Sequence, residues 1–382
     1  MNINHLKVAV IHDWLMSMRG GERVVECICE LFPQSDIYTL VHKVGALSSR
    51  IESHPIYTSF VDRLPFKNSI YRHYLPLFPL AIEGFDLRRY DMIISSSHCV
   101  AKGIISSPDT LHISYIHTPM RYVWDMYYDY FGKENAGWLS RKIISLFANY
   151  LRMWDVTSSK RVNWFIANSR HVANRVQKYY GREASIIHPP VDLELFQQSE
   201  NPGDYYLLVS TLVPYKRVDL AIQTFNKIQK PLLVVGEGPL YRKLYSMAGK
   251  TIKLLGWQSL SSLNEYYANC KALIFPGEED FGIVPVEAQK CGKPVIAFAK
   301  GGALETVIGY NGQNEGNCSG VFFFEQNVQA LEDALVTYEN LEWNPSFISK
   351  HTEQFGKERF LRQLENFIID KAEIFFENRK FR

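Results

Sequence analysis

The sequence predicts an α/β protein of two doubly wound, Rossmann-like domains facing one another across a cleft. Three observations carry this. The chain has 382 residues, more than one ordinary core organises. Short apolar runs alternate with amphipathic stretches along its length, the pattern of strands and helices around parallel sheets. Hydrophobic residues make up 46% and charged residues 21%, a globular balance and not a disordered one.

The elements follow in order. In the first half, residues 7–11, 91–95, 113–117 and 164–167 read as strands. In the second half, 205–210, 232–235, 252–255, 272–275, 294–298 and 321–324 do so, separated by helix-like segments of about 10–12 residues. Leu220, Phe225 and Ile228 mark one buried helical face, and Leu263, Tyr266 and Tyr267 another. The stretch 197–204, Gln-Gln-Ser-Glu-Asn-Pro-Gly-Asp, carries no large apolar residue and is the expected boundary. This gives an N-terminal Rossmann-like domain over 1–200, a second Rossmann-like domain over 201–355, and a final helix within 356–382 packing back toward the first domain. That helix is marked by Leu361, Leu364, Phe367, Ile368 and Ala372. Such sheets bind ligands beyond the carboxyl ends of their strands, so the cleft is the expected site.

Composition removes several classes. A net charge of +2 argues against a nucleic-acid binder driven by bulk charge. The apolar run 8–11 is too short for a secretory signal, and no window approaches the roughly 20 apolar residues of a membrane span. The six cysteines, Cys27, Cys29, Cys99, Cys270, Cys291 and Cys318, form no CxxC pair. They read as buried free thiols in a reducing, cytoplasmic setting.

The chemistry concentrates in Gly277-Glu278-Glu279-Asp280-Phe281-Gly282-Ile283-Val284-Pro285-Val286-Glu287-Ala288. A strand precedes it, and Pro285 suits the first turn of a helix. Glu279 then lies in the loop above the strand end and Glu287 on the helix. Free N–H groups around Gly282, Ile283 and Val284 suit phosphate. An anion site flanked by two carboxylates matches a diphosphate lying between a ribose and a hexose.

This segment resembles the retaining glycosyltransferases of family four, which have the GT-B fold and an E-x7-E motif. The resemblance extends to Asn168-Ser169, Tyr180-Gly181, His188-Pro189-Pro190-Val191-Asp192, residues 209–216, Gly236-Glu237-Gly238-Pro239, Leu255-Gly256-Trp257 and Gly301-Gly302-Ala303-Leu304-Glu305. Residues 117–122 and 215–219 resemble bacterial mannosyltransferases of O-antigen and polysaccharide assembly. The resemblance implies GDP-mannose as donor and a glycan acceptor, expected to be lipid-linked; the inner face of the cytoplasmic membrane is expected from the basic segment 138–182. It implies that Glu279 and His117 contact the transferred sugar, Glu287 holds the ribose hydroxyls, and Lys216, helped by Arg217, neutralises the diphosphate. Gly20 and Gly21 would admit the donor phosphate or acceptor close to the backbone; on their own they read as a tight turn into a helix. The family commonly carries an arginine five positions before the lysine, where this chain has Thr211.

No cofactor is expected, and no metal either, because no D-x-D triplet occurs. Lys216, Arg217 and helix N–H groups would offset the leaving charge instead. Residues 138–182 hold nine Lys or Arg and one acid, Asp155, interleaved with Trp and Phe. Leu139, Ile143, Phe147, Leu151 and Trp154 form one helical stripe there. The segment reads either as a helix packed on the first sheet or as a surface for anionic lipid. Three alternatives stay open: another nucleotide-sugar, a GT-B epimerase or phosphorylase, and a non-catalytic partner subunit. A hydride-transferring Rossmann enzyme is disfavoured, since no G-x-G-x-x-G follows the first strand.

Overall fold

The computed structural model describes residues 3, 5–125, 127, 138–199 and 203–377, with backbone alone at 138–144. The chain divides into two compact units, Met1–Pro190 with Glu358–Arg382, and Val191–Lys357.

The first unit is built on a parallel sheet of seven strands: β1 (Val8–His12), β2 (Asp36–Thr39), β3 (Ile56–Thr58), β4 (Met92–Ser97), β5 (Leu111–Ile116), β6 (Trp164–Ala167) and β7 (Ala184–Ile186). Their order is β3-β2-β1-β4-β5-β6-β7. Every residue of β1, β4 and β5 is buried, including the polar Ser95, Ser96 and Ser97 of β4 and His112 and Ser114 of β5. The sequence did not announce β2, β3 and β7, which are only three or four residues long. Helices α1 (Gly20–Leu31), α2 (Trp138–Ser159) and α3 (Arg170–Tyr180) cover the sheet. Val8 and Val10 of β1 join the core on the α1 face, while Ala9 and Ile11 join the core on the opposite face. Ala148, Leu151 and Trp154 of α2 complete that second core.

Under α2 lies a buried ion pair. Lys102 Nζ is 2.6 Å from Asp155 Oδ1, and both side chains are shut off from solvent. The ammonium also donates to Asp155 O and Ser158 Oγ at 3.1 and 3.0 Å. Asp155 Oδ2 accepts from Trp124 Nε1 at 2.8 Å and Tyr180 OH at 2.9 Å. These hydrogen bonds to the ammonium and to Oδ2 offset part of the desolvation cost, while Oδ1 has the ion contact with Lys102.

The second unit has six parallel strands: β8 (Tyr206–Val209), β9 (Leu232–Val235), β10 (Ile252–Gly256), β11 (Leu273–Phe275), β12 (Val295–Phe298) and β13 (Gly320–Phe323). They are ordered β10-β9-β8-β11-β12-β13. Helices α4 (Val218–Ile228), α5 (Ile283–Lys290) and α6 (Val328–Glu339) alternate with them. The final helix, α7 (Lys357–Glu377), leaves this unit and buries Phe360, Leu364, Ile368 and Ala372 in the α1-side core of the first. All six cysteines are buried free thiols. Among the described residues, no helix is long and apolar enough to cross a membrane.

Each sheet is a doubly wound sheet with one point where the winding reverses. In the first unit it lies between β1 and β4, in the second between β8 and β11. Loops diverge there, leaving the crevice in which such sheets hold ligands.

Candidate functional site

At the reversal point of the second unit, the loop after β8 is clamped against its neighbour. Ser210 N–H donates to Val235 O at 3.0 Å, and Leu212 N–H to Glu237 O at 2.9 Å. A Cβ on Gly236 (φ 134) would lie 1.8 Å from Ser210 O, so only glycine permits this approach. The loop closes in a 3₁₀ turn, Pro214–Lys216, and Arg217 takes a left-handed conformation, φ 52, that redirects the chain into α4. Lys216 and Arg217 are therefore set at the crevice by backbone geometry. Thr211 is exposed at the start of the turn.

The loop after β11 supplies the other wall. Glu279 O accepts from Gly302 N–H at 2.8 Å, which fixes the loop beside the end of β12. Gly282, at φ 92, opens α5 with Ile283 as its first residue. Pro285 has no N–H, so Ile283 and Val284 carry the unbonded donors of the first turn. Glu287 follows on the same helix, and its Oε2 accepts from Tyr267 OH at 2.8 Å. Burial, with the nearby Glu287 charge, holds the Tyr267 phenol well above its ordinary range, so it remains a donor. The Lys216 ammonium contacts the Glu279 carboxylate directly. Arg217 turns elsewhere: Nε donates to Asp219 Oδ1 at 3.3 Å and Nη1 to Gln326 Oε1 at 3.4 Å. The structure thus brings together Lys216 and Glu279 beside the start of α5, with Glu287 on that helix and Arg217 tied to side chains of its own.

The first unit has its own cluster at the β1–β4 reversal. Asp13, buried just past β1, accepts four backbone hydrogen bonds, from residues 98–101, at 2.6–2.9 Å. It thereby pins the turn after β4 to the end of β1. His12, His98 and His117 gather there, with ring centroids 5.7, 6.5 and 6.2 Å apart. His117 follows β5 and is anchored by its N–H on Ser97 O at 2.8 Å. Gly20 and Gly21 open α1, and a Cβ on Gly21 would lie 3.4 Å from His12 Cε1 and 3.7 Å from His117 Nε2.

Charge sorts the three rings. His12 Nε2 stands 3.7 Å from Glu22 Oε1, a coulombic pair too long for a hydrogen bond. Burial works against a charge on His12, but the Glu22 carboxylate outweighs it and the pKa rises. Burial likewise opposes the Glu22 carboxylate, yet His12 pulls its pKa down. Burial, then repulsion from the other rings, depresses His117 far below the usual imidazole range. Burial depresses His98 as well, against the pull of Asp13. Burial thus favours the neutral form of His98 and His117, while Glu22, with Asp13 and the Ser96 carbonyl, favours a charge on His12. His12 Nδ1 is 3.1 Å from Ser96 Oγ, and that hydroxyl is 2.8 Å from His117 Nε2. The Ser96 hydroxyl therefore links the His12 and His117 rings, and the Ser96 carbonyl accepts from His12 Nδ1 at 3.0 Å.

Sequence reading found His117, Gly20 and Gly21 but not His12, Asp13, Glu22 or His98. A signal was present: polar residues, His12-Asp13 and Ser95-Ser96-Ser97-His98, close two buried apolar runs. The basic segment is less free than its composition implied. Arg152, Lys160, Arg161, Arg175 and Arg182 all bond backbone or carboxylate groups of the first unit. The side chains of Trp138, Leu139, Arg141, Lys142 and Ile143 lie outside the described residues. Of the expected stripe, Leu151 and Trp154 are buried but Phe147 is 42% exposed; Leu146, Tyr150 and Met153 join it on an apolar outer face.

Comparison with known proteins agrees with this architecture. Residues 192–358 match the family of glycosyl transferases group 1, and residues 18–195 match glycosyltransferase family 4. An uncharacterised glycosyltransferase of Methanocaldococcus jannaschii is 34% identical over 176 residues, covering 44% of this chain and 48% of that protein. The alpha-1,3/1,6-mannosyltransferase ALG2 of Saccharomyces cerevisiae is 27% identical over 337 residues, covering 73% and 64%. The match spans less than two thirds of either relative. The crystal structure of Anabaena HepE in complex with UDP and glucose superposes with a TM-score of 0.66 at 16% identity, covering 95% of this chain and 99% of that one. At that identity the likeness is one of fold. The chain has the GT-B fold of solved glycosyltransferases, with residues 18–195 matching glycosyltransferase family 4 and residues 192–358 matching the glycosyl transferases group 1.

Proposed function

We propose that the chain transfers a sugar from a nucleotide-sugar, mannose from GDP-mannose, to the hydroxyl of a lipid-linked glycan in bacterial surface polysaccharide assembly, with retention of configuration. The observation that carries the reading is the contact between Lys216 and Glu279 beside the opening turn of α5. A cation and two unbonded N–H groups suit a diphosphate; a carboxylate one contact away suits sugar hydroxyls. As the bond from the anomeric carbon to the phosphate oxygen breaks, its electron pair leaves with the diphosphate. Lys216 and the α5 amides stabilise that charge, Glu279 offsets the positive charge growing on the sugar ring, and Glu287 holds the ribose hydroxyls. His117, kept neutral by burial, contacts the transferred sugar. The acceptor hydroxyl forms the new bond and its proton goes to the leaving phosphate oxygen. The choice of mannose is supported by residues 117–122 and 215–219 and by the similarity to yeast ALG2.

The test is a panel of nucleotide-sugars, GDP-mannose and UDP-glucose included, scored for transfer and for donor hydrolysis. GDP-mannose should be turned over to GDP with a mannosylated product. Free sugar or sugar phosphate without acceptor would indicate an epimerase or phosphorylase. Nucleotide binding without turnover of any donor would indicate a non-catalytic partner subunit.

A further inference from the structure

Beside the histidine cluster of the first unit lies a cavity of about 240 Å³, room for roughly eight waters at about 30 Å³ each. Its walls include Trp14, Tyr71, Arg19, Lys43, Arg72 and Glu22. Three separate segments deliver the cations. Arg19 precedes α1, Lys43 follows β2 and is held by its N–H on Leu15 O at 2.9 Å, and Arg72 sits in the turn 71–77. Among the described residues none of the three is paired with a carboxylate: Arg19 Nε donates to Ser17 Oγ at 3.3 Å, and Arg72 Nε to Tyr71 OH at 3.2 Å. The one acid in the wall, Glu22, is already matched by His12 and by the Arg19 N–H at 3.1 Å. The cavity therefore carries about three uncompensated positive charges. Its aromatic side is rigid: Trp14 packs on Tyr71 at 5.4 Å and on His98 at 4.3 Å.

We propose that this cavity receives a phosphoryl group of the acceptor, bound by Arg19, Lys43 and Arg72, with the attached saccharide against Trp14 and Tyr71. The inference rests on the glycosyl-transfer reading and adds the class of acceptor. Three converging cations on fixed segments suit a phosphate dianion or a diphosphate, and aromatic faces suit the C–H edges of a sugar ring. Trp14 packs on His98, whose ring lies 6.2 Å from that of His117, so the cavity opens beside the histidine cluster. The phosphate has two sources, a soluble sugar phosphate or an isoprenyl diphosphate carrier, and both present the same chemistry to these side chains.

The experiment is calorimetry of the full chain with mannose 1-phosphate, with farnesyl diphosphate below its micelle concentration, and with free mannose. Saturating GDP and UDP are present so that any site at Lys216 is filled. One or both phosphate probes should bind, at least tenfold tighter than mannose and more weakly as salt rises. Binding of farnesyl diphosphate alone assigns a lipid carrier, and of mannose 1-phosphate alone a soluble acceptor. Arg19→Gln, Lys43→Gln and Arg72→Gln combined should weaken the probe about 100-fold or more, and Arg72→Gln alone about tenfold, with an unchanged melting temperature. Absence of binding by both probes, or unchanged affinity in Arg72→Gln and the combined variant, overturns the proposal. The nucleotides are titrated separately on the same protein. Nucleotide binding without phosphate-probe binding removes this pocket and leaves the transferase reading standing; the converse removes the transferase reading and leaves the pocket.

Discussion

Lys216 and Glu279, the two side chains given separate tasks in the proposed reaction, lie in direct contact. Replacing Lys216 by Ala should weaken GDP or UDP binding about 10–100-fold, the value of one charge-assisted contact to phosphate. Glu279→Gln should lower turnover roughly 10²–10³-fold with little change in nucleotide affinity, whereas Glu287→Ala should mainly raise the donor KM. Steady-state kinetics with paired calorimetry separates the two carboxylates, and near-normal turnover in a folded Glu279→Gln protein contradicts the assignment. The histidines give a second prediction. Burial pushes His112 down to about 3 and also depresses His98 and His117, so the unfolded chain binds protons that the folded chain refuses. Stability from these groups is full above the unfolded value of about 6.5 and is lost as pH falls from there toward their folded values. Urea midpoints should drop steadily between pH 7 and pH 4, and His112→Gln should flatten that slope; a flat wild-type profile contradicts it. At this scale the Glu279 and Glu287 part of the second-unit candidate site was legible because one short motif holds it, whereas Lys216 lies far from that motif in sequence and entered through the resemblance. In the first unit His117, Gly20 and Gly21 were read, but His12, Glu22 and His98 were not, because only the fold gathers them.

The element that rewards scrutiny is α2. Its inner face holds the Lys102–Asp155 pair and its outer face carries Leu146, Phe147, Tyr150 and Met153. Lys102→Met should cost about 3–5 kcal/mol in chemical denaturation, because Asp155 stays buried without its cation; adding Asp155→Leu should recover part of the loss. A full-size loss that the double variant does not reduce would show that packing, not charge, dominates. The outer face bears on the proposed membrane contact. Since five basic residues of 138–182 are spent on internal bonds, lipid association should depend chiefly on the apolar stripe. Co-sedimentation with anionic liposomes should persist in high salt and fall several-fold in Leu146→Ser with Met153→Ser. Complete salt reversal, or indifference to both substitutions, would count against that view. Sequence patterning captured the long apolar strands and missed β2, β3 and β7. Strands of three or four residues with polar members, such as Asp36–Thr39, leave too little periodicity to see.

The whole molecule is organised by its last helix. Phe360, Leu364, Ile368 and Ala372 are fully buried among Val8, Val10, Ile28 and Tyr115. Burying each large side chain contributes about 1.5–3 kcal/mol, so removing residues 358–382 takes away a sum comparable to the usual stability of a domain. The truncated protein should retain a protease-resistant second unit near Val191–Lys357, while the first unit is digested. Resistance of both units to limited proteolysis would contradict this. The amphipathic pattern of 360–376 was plain in the sequence, since a solvent-facing side gives a helix its period.

That arrangement also constrains the order of events on the ribosome. Domains commonly fold in the order in which they emerge. Here the first unit cannot close its core until the helix Lys357–Glu377 arrives, whereas Val191–Lys357 precedes it. At roughly 5–20 residues per second, the early half waits on the order of ten seconds or more with an apolar groove open. It is during that interval that the nascent chain is most exposed to chaperones and to aggregation.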